Sequence, residues 1–379
     1  MRFPEFSGEW EKELLGTTCN VLMCKRILAS QTNAECGVPF YKIGTIGGIP
    51  DAYISKELFE SYRAKYNYPR KGEVMITCAG TVGKAMIFDG EDSYYQDSNI
   101  VWIDNPTNKI DNTFLYHFIS KVDWSKLNTT TIVRIYNDDL RQLRISYPTL
   151  SEQRKISIFL NLLNQRIETQ KKIIEDLKKL KYAISNKVLH ACFCNSDCAI
   201  QLSSVLNERK EYNENDGTYP HGSLSKEGVT LKSERYDRDF LVKEEDKKYK
   251  VSHYNDICYN PANLKFGVIS RNKLGSIIFS PIYVTYEIND KYNSEYIELL
   301  VTNYEFIGRV RKFEQGTVYE RMAVSSEDFL SYKISFPSKN TQDKIADNVR
   351  AIDTKLQNEL NILDRTEKQK NYLLSQMFI

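Results

Sequence analysis

The 379-residue sequence lacks most of what an enzyme, a membrane protein or a secreted scaffold needs. It has only four histidines, at 117, 190, 221 and 253, and none is spaced as part of a nucleophile–base pair. No apolar run reaches the length of a membrane-spanning helix, so no contact with a bilayer is expected. The opening Met1-Arg2-Phe3-Pro4-Glu5-Phe6 carries charge and proline where a secretion signal needs an apolar core. The eight cysteines, at 19, 24, 36, 78, 192, 194, 198 and 258, do not form a disulfide framework. A reducing, cytoplasmic setting is therefore expected. Strong charge of one sign is also missing: 52 basic residues face 50 acidic ones, for a net +2. A global average of this kind advertises no nucleic-acid binder, but it hides local distribution.

The catalytic motifs that come closest all fail on spacing. Ala79-Gly80-Thr81-Val82-Gly83-Lys84 is too short for a phosphate loop, and Ala85 stands where a magnesium-binding hydroxyl is needed. A turn between strands is the better reading, with Thr81 and Lys84 left available to phosphates. Tyr259-Asn260-Pro261-Ala262-Asn263 faintly resembles the Asn-Pro-Pro-aromatic motif of amino-methyltransferases, but its third position is wrong and no glycine-rich cofactor loop precedes it. It reads as a turn ending a strand, from which Asn260 and Asn263 are candidates to meet base edges. His190 to Cys198 gathers three thiols and an imidazole without a second ligand pair, so reduced linker thiols are favoured over zinc. Glu244 to Lys247 reads as solvated loop charge. No catalytic constellation, metal site or bound cofactor is expected in this chain.

What is present is a duplication. From Ile156 the positions 156, 160, 163, 167, 170, 174, 177, 181, 184 and 188 hold Ile, Leu, Leu, Ile, Gln, Ile, Leu, Lys, Ile and Val. This alternating four–three spacing over more than four heptads predicts a coiled-coil seam. The pattern returns 189 residues later at Ile345, Val349, Ile352, Leu356, Glu359, Leu363, Thr366, Lys370, Leu373 and Met377. The lead-ins match as well: Ile145 to Pro148 against Ile334 to Pro337, and Gln153, Lys155 and Ile156 against Gln342, Lys344 and Ile345. The polar breaks coincide at Gln170/Glu359 and Lys181/Lys370. Arg154 to Val188 carries nine Lys/Arg against three Asp/Glu, whereas Asp343 to Met377 balances six against six. Two seams this long are costly to leave exposed, so they are expected to pair antiparallel within one chain. Residues 151–190 alone would make a rod of about 60 Å at the usual helical rise.

Each helix follows a stretch of α+β character. In the first, β-like runs at Val38–Ile43, Glu73–Thr77, Ala85–Phe88 and Asn99–Ile103 are punctuated by glycines. A short helix is predicted over 112–120 with Asn112 or Thr113 as its cap. An extended segment, 130–136, then leads to Asn137–Leu140. The second stretch repeats this plan loosely. Leu202–Leu206 echoes the start near Leu15, Asp256–Tyr259 echoes Glu73–Ile76, and Gly267–Ser270 echoes Gly83–Met86. One helix is predicted from Ser294 through Val301 to Gly308, followed by 316–321 and Glu327–Phe329. The expected organisation is a first domain at 1–147, a helix and junction at 148–195, a second domain at 196–336 and a second helix at 337–379. The hinge is expected in the junction, where His190 to Cys198 meets the polar run Asn207 to Asn215.

The remaining chemistry is that of recognition. Basic residues lie among aromatics and amides at Lys25-Arg26, Arg134 to Asn137 with Tyr136, Tyr219 to His221, Lys265, Arg309 with Arg311-Lys312, and Tyr319 to Arg321. Arg and Lys position phosphates or pair with guanine, and Asn pairs with adenine. Any one of them is more often an ordinary surface residue, because phosphate and structural roles outnumber base readout.

Taken together, Arg2-Phe3-Pro4-Glu5-Phe6-Ser7-Gly8-Glu9-Trp10, Pro148 to Ile156 with its coiled coil, and the repeat over Pro337 to Met377 resemble the specificity subunits of type I restriction–modification systems. The order domain–helix–domain–helix covers the whole chain. One departure stands at 339–342, where the Leu and Glu present at Leu150 and Glu152 are missing. The resemblance implies a non-catalytic subunit with two target-recognition domains, each reading half of a bipartite, asymmetric site in double-stranded DNA. The helices would act as a spacer and as the dock for two methyltransferase subunits and for motor-nuclease subunits. S-adenosylmethionine, magnesium and ATP would be bound by those partners only. The residues expected to pair the helices or face partners are Gln153, Ile156, Leu160, Leu163, Ile167, Ile174, Leu177, Gln342, Ile345, Val349, Ile352, Leu356 and Leu363. The competing reading is a coiled-coil adaptor for other proteins that binds no DNA.

Overall fold

The computed structural model describes residues 2–126, 134–194, 198–214, 216–232, 248–314 and 323–378. The chain divides into two compact units: Met1–Lys171 with Asn361–Ile379, and Lys172–Leu360. Each unit thus takes one part of each long helix.

In the first unit, an antiparallel sheet contains β1 (Asn20–Met23), β2 (Val74–Thr77), β3 (Ala85–Ile87) and β4 (Ile100–Asp104) in the order β1-β4-β2-β3. Every residue of β2 and β4 is buried, as expected for strands covered on both faces. A second sheet joins Thr32–Asn33, Val38–Tyr41, Tyr53–Ile54 and Tyr94–Tyr95. Helix α1 (Asn112–Lys121) covers the first sheet with Phe114, Leu115 and Ile119. Its cap is Asp111 rather than Asn112 or Thr113: the carboxylate accepts from Thr113 N and Phe114 N, each at 3.0 Å. Asp111 has the extended backbone that a cap requires, whereas Asn112 is already helical. After α2 (Asn137–Arg141), Arg144–Tyr147 pairs with Glu11–Leu14 and leads into α3 (Leu150–Cys194).

The second unit repeats this order. Its main sheet is β5 (Leu206–Glu208), β6 (Ile257–Tyr259), β7 (Ile269–Arg271) and β8 (Val284–Ile288), arranged β5-β8-β6-β7. The strand order therefore matches that of the first unit position for position. The predicted single helix over 294–308 is two: α4 (Ser294–Val301) and α5 (Tyr304–Val310). They divide because the Asn303 side chain accepts from Glu305 N at 2.8 Å and starts a new first turn. Next come α6 (Ser326–Ser331) and the pairing of Ile200–Gln201 with Lys333–Ile334. The final helix is α7 (Lys339–Met377).

The long helices run antiparallel within each unit. In the first, Ile156 and Leu160 near the start of α3 share a core with Leu374, Met377 and Phe378 at the end of α7. Further along α3, Lys171 lies 3.7 Å from Glu367, an earlier residue of α7. In the second unit, Leu189 and Cys192 near the end of α3 meet Ile345 near the start of α7. There Lys181 Nζ donates to both Asp353 oxygens, at 2.6 and 2.8 Å. Ile156, Leu160, Leu163, Ile167 and Ile174 are buried, while Leu177, Ile345, Val349, Ile352, Leu356 and Leu363 are half-buried. No helix among the described residues is long and apolar enough to cross a membrane.

Candidate nucleic-acid interface

In the first unit, the connection from β2 to β3 is closed by the Thr77 side chain. Its hydroxyl donates to Thr81 O and accepts from Lys84 N at 3.0 Å. Gly83 has a φ of +82°, and a Cβ there would lie 2.0 Å from the Trp124 ring, so only glycine fits. Lys84 Nζ donates to Ile46 O at 2.6 Å, which holds the neighbouring loop in place. This is a strand connection, not a phosphate cradle.

Two further stretches are fastened to it. Cys78 N donates to Asn99 O at 2.7 Å, and Cys78 O accepts from Ile135 N at 2.9 Å. Residues 78–84, 97–99 and 134–136 therefore converge. On them, Arg134 Nη2 lies 3.4 Å from Ser98 Oγ, and its guanidinium is 5.8 Å from the Tyr136 ring centre. Arg26 lies 4.0 Å from Asp97, and Lys25 Nζ lies 5.4 Å from the Tyr66 ring centre. Tyr136 is 60% exposed and Tyr66 43%. Asn137 begins α2 directly behind this group. Of the residues expected from sequence, Lys25, Arg26, Thr81, Lys84, Arg134, Tyr136 and Asn137 thus lie on neighbouring segments. Cations laid beside exposed rings suit phosphate positioning and base stacking. The Cys78 thiol, pushed up to about 12 by burial, is chemically inert beside them.

The second unit has the same framework with different side chains. Val324 N donates to Pro261 O at 3.4 Å, matching the bond between Ile135 and Cys78. Asn260 is buried, and its side-chain oxygen accepts from Ala262 N at 3.1 Å, starting the turn Pro261–Phe266. Its amide oxygen is committed to the turn rather than held out towards solvent. Asn263 lies within that turn, and Lys265 Nζ is 5.1 Å from the centre of the 51%-exposed Phe266 ring. Arg309 pairs with Glu305 at 2.8 Å and stacks 3.6 Å from the Phe193 ring centre. Arg311 pairs with Glu314 at 2.7 Å, and Lys312 is exposed beside it. Tyr219 and His221 sit elsewhere, against His253 and Tyr249 near the sheet that contains Tyr249–Ser252. Tyr319 and Arg321 lie outside the described residues, as do Glu244 to Lys247 and the middle of the cysteine-rich junction.

Sequence reasoning passed over Tyr66, Ser98 and Phe266. The adjacent pairs Lys65-Tyr66 and Lys265-Phe266 were a usable signal, but the approach of Ser98 to Arg134 was not. Cys192 is buried with its sulfur 3.0 Å from the Tyr296 hydroxyl, and no group of three or more metal-ligating residues occurs among the described residues. Gln153 and Gln342 are buried inside their own units and make hydrogen bonds there.

Two sheets of one strand order, each backed by an antiparallel stretch of the same long helices, define a tandemly duplicated α+β protein. Residues 7–179 match the family described as the type I restriction modification DNA specificity domain. Over 142 residues the chain is 54% identical to S.HindORF215P of Haemophilus influenzae, assigned as a type I restriction enzyme specificity subunit. That match covers 38% of this chain and 37% of the relative's length. The S subunit of a type I restriction–modification system from M. genitalium has the same fold, with a TM-score of 0.59 at 16% identity over 100% of this chain and 99% of that one. A chain solved in work on complex assembly and conformational transition of the type I R-M system gives 0.59 at 14% identity, covering 98% of each.

Proposed function

We propose that this chain is the specificity subunit of a type I restriction–modification system. In this reading each unit presents one recognition surface, and each surface reads one half of a bipartite, asymmetric DNA site. The paired helices set the spacing between the halves and receive two methyltransferase subunits, with motor-nuclease subunits joining for cleavage. Adenine methylation and its S-adenosylmethionine, and the ATP and magnesium of the motor, belong to those partners. This chain contributes recognition and assembly and no reacting group.

The observation that carries the proposal is the repeated strand connection. Residues 78–84 and 260–268 occupy the same place in sheets of the same order, yet one presents Thr81 and Lys84 and the other Asn263 and Lys265. One framework with two different surfaces is what reading two unlike half-sites requires. The near-neutral net charge is compatible with partners supplying part of the phosphate clamp.

Co-expression with the cognate methyltransferase and methylation mapping is the direct test. A single two-part site with a fixed spacer is expected, and replacing residues 1–147 by those of a relative should change one half only. Modification at a short continuous site would overturn the reading. Failure of the assembled complex to bind DNA at any salt concentration would favour the adaptor.

A further inference from the structure

The two units contain sister pockets between the long helices and the first helix after the main sheet, and the repeat-matched pair that is lysine–carboxylate in one is lysine–amide in the other. In the second unit, Lys181 and Asp353 line an open pocket of about 420 Å³ together with Arg350 and Leu299. The lysine donates to both oxygens of Asp353. Displacement by the 189-residue repeat takes Asp353 to Asn164 and Lys181 to Lys370. Asn164 and Lys370 together line an open pocket of about 460 Å³ in the first unit, with Tyr116, Lys171, Glu168 and Glu367.

The first pocket therefore keeps the lysine and has lost its carboxylate. The two remaining acids are both engaged by Lys171, at 3.3 Å from Glu168 and 3.7 Å from Glu367. Lys370 has no hydrogen bond or ion pair among the described residues, although it is half-buried on α7. Burial and the neighbouring Lys171 hold its ammonium below the usual lysine range, against the weaker opposing pull of Glu367 and Glu168. A part-desolvated lysine with no direct hydrogen-bonded partner gains from an anion that arrives from outside.

We propose that Lys370, in the pocket it shares with Asn164, is a docking site for a carboxylate side chain of a partner protein seated on the first unit's helices. The sister pocket identifies the ligand: a carboxylate taken by the ammonium through both oxygens, as Asp353 is by Lys181. The second unit satisfies its own lysine, so only the first unit accepts this contact. The partner's identity rests on the proposed function, but the site's preference for a carboxylate does not.

The test uses the full chain with its lysines converted to ¹³C-dimethyl-lysine, which keeps the charge. The Lys370 resonance is assigned by its loss in Lys370→Arg. Titration with N-acetylglutamate amide should move that resonance saturably, and Asn164→Asp, which restores the internal carboxylate, should reduce the effect at least tenfold. Asn164→Asp should also weaken association with the cognate methyltransferase about tenfold while leaving the fold, followed by thermal unfolding, intact. No shift with the blocked glutamate, an equal shift in Asn164→Asp, or a larger response to inorganic phosphate would each overturn the proposal. A response to glutamate without any methyltransferase association would keep the carboxylate site and sink the proposed function instead.

Discussion

The backbone N–H of Asp111 donates to Gln153 Oε1 at 2.6 Å, and that of Asn293 donates to Gln342 Oε1 at 2.9 Å. Asp111 and Asn293 are the caps of α1 and α4, so each glutamine grips the start of its own unit's helix. Each also donates from Nε2 to the proline ahead of its long helix, Pro148 O at 2.8 Å and Pro337 O at 2.9 Å. The same latch is built twice.

Gln153 makes one bond more, from Nε2 to Lys109 O at 3.0 Å. Gln153→Met should therefore cost about 2–4 kcal/mol and Gln342→Met about 1–3 kcal/mol, because buried partners are left unsatisfied. Urea midpoints measured on both variants check the order. A reversed order would sink this account of the latch.

Leu163 is 9% exposed in the first unit's core, whereas Ile352 is half-buried in the second. Leu163→Asp should cost roughly 3–5 kcal/mol by burying an unpaired charge, and Ile352→Asp about half as much. Thermal unfolding should register both losses. Normal stability and unchanged methylation sites in either variant would exclude a packed helix pair.

Arg134 lies on one of the converging segments of the first unit, and Arg26 lies 4.0 Å from Asp97 on another. Arg134→Ala should weaken DNA binding and lower the slope of log K against log salt by about one if it neutralises one phosphate. Band-shift titration across salt measures this. An unchanged slope with relaxed sequence preference in the first half-site would assign Arg134 to a base instead.

Gly83→Ala places a Cβ against the Trp124 ring in a left-handed backbone conformation. A loss of about 2 kcal/mol or more is expected from clash and backbone strain together. Recognition of the first half-site should fail with it, while the second half-site is still read. Equal loss at both halves would show that the two connections are not independent.

His117 is buried with Nε2 3.0 Å from Asn161 Oδ1. Burial lowers its pKa to about 4 from an ordinary 6.5, against the weaker opposing effect of Asn161. Below pH 6.5 the unfolded chain takes up the proton first, so stability should fall as pH drops from 6.5 towards 4. The full effect is at most roughly 3 kcal/mol. His117→Gln should flatten that part of the stability profile, and an equally steep acid loss in the variant would clear His117 of responsibility.

Much of the fold is legible along the chain because its signals are local. Heptad spacing places α3 and α7, and apolar runs between glycines place β2, β3 and β4. The duplication is visible because Gln153 and Gln342, with the isoleucines behind them, keep fixed positions in both copies. Local signals fail where two neighbours compete for one role. Asp111 rather than Asn112 caps α1, and Asn303 divides a stretch whose apolar content reads as one helix. Asn260, a base-reading candidate by residue type, is buried as a turn cap.

By itself the sequence determined the repeat, the two seams and the α+β character of the segments between them, because each is a periodicity in neighbouring residues. Only the tertiary structure decided which polar groups are already taken. Lys181 and Lys370 are the same residue type at matched positions, yet one faces Asp353 and the other shares its pocket with Asn164. Those partners lie 172 and 206 residues away in the chain. Whether a lysine is paired depends on which side chain the fold brings across the helix interface, and no spacing rule within either helix contains that.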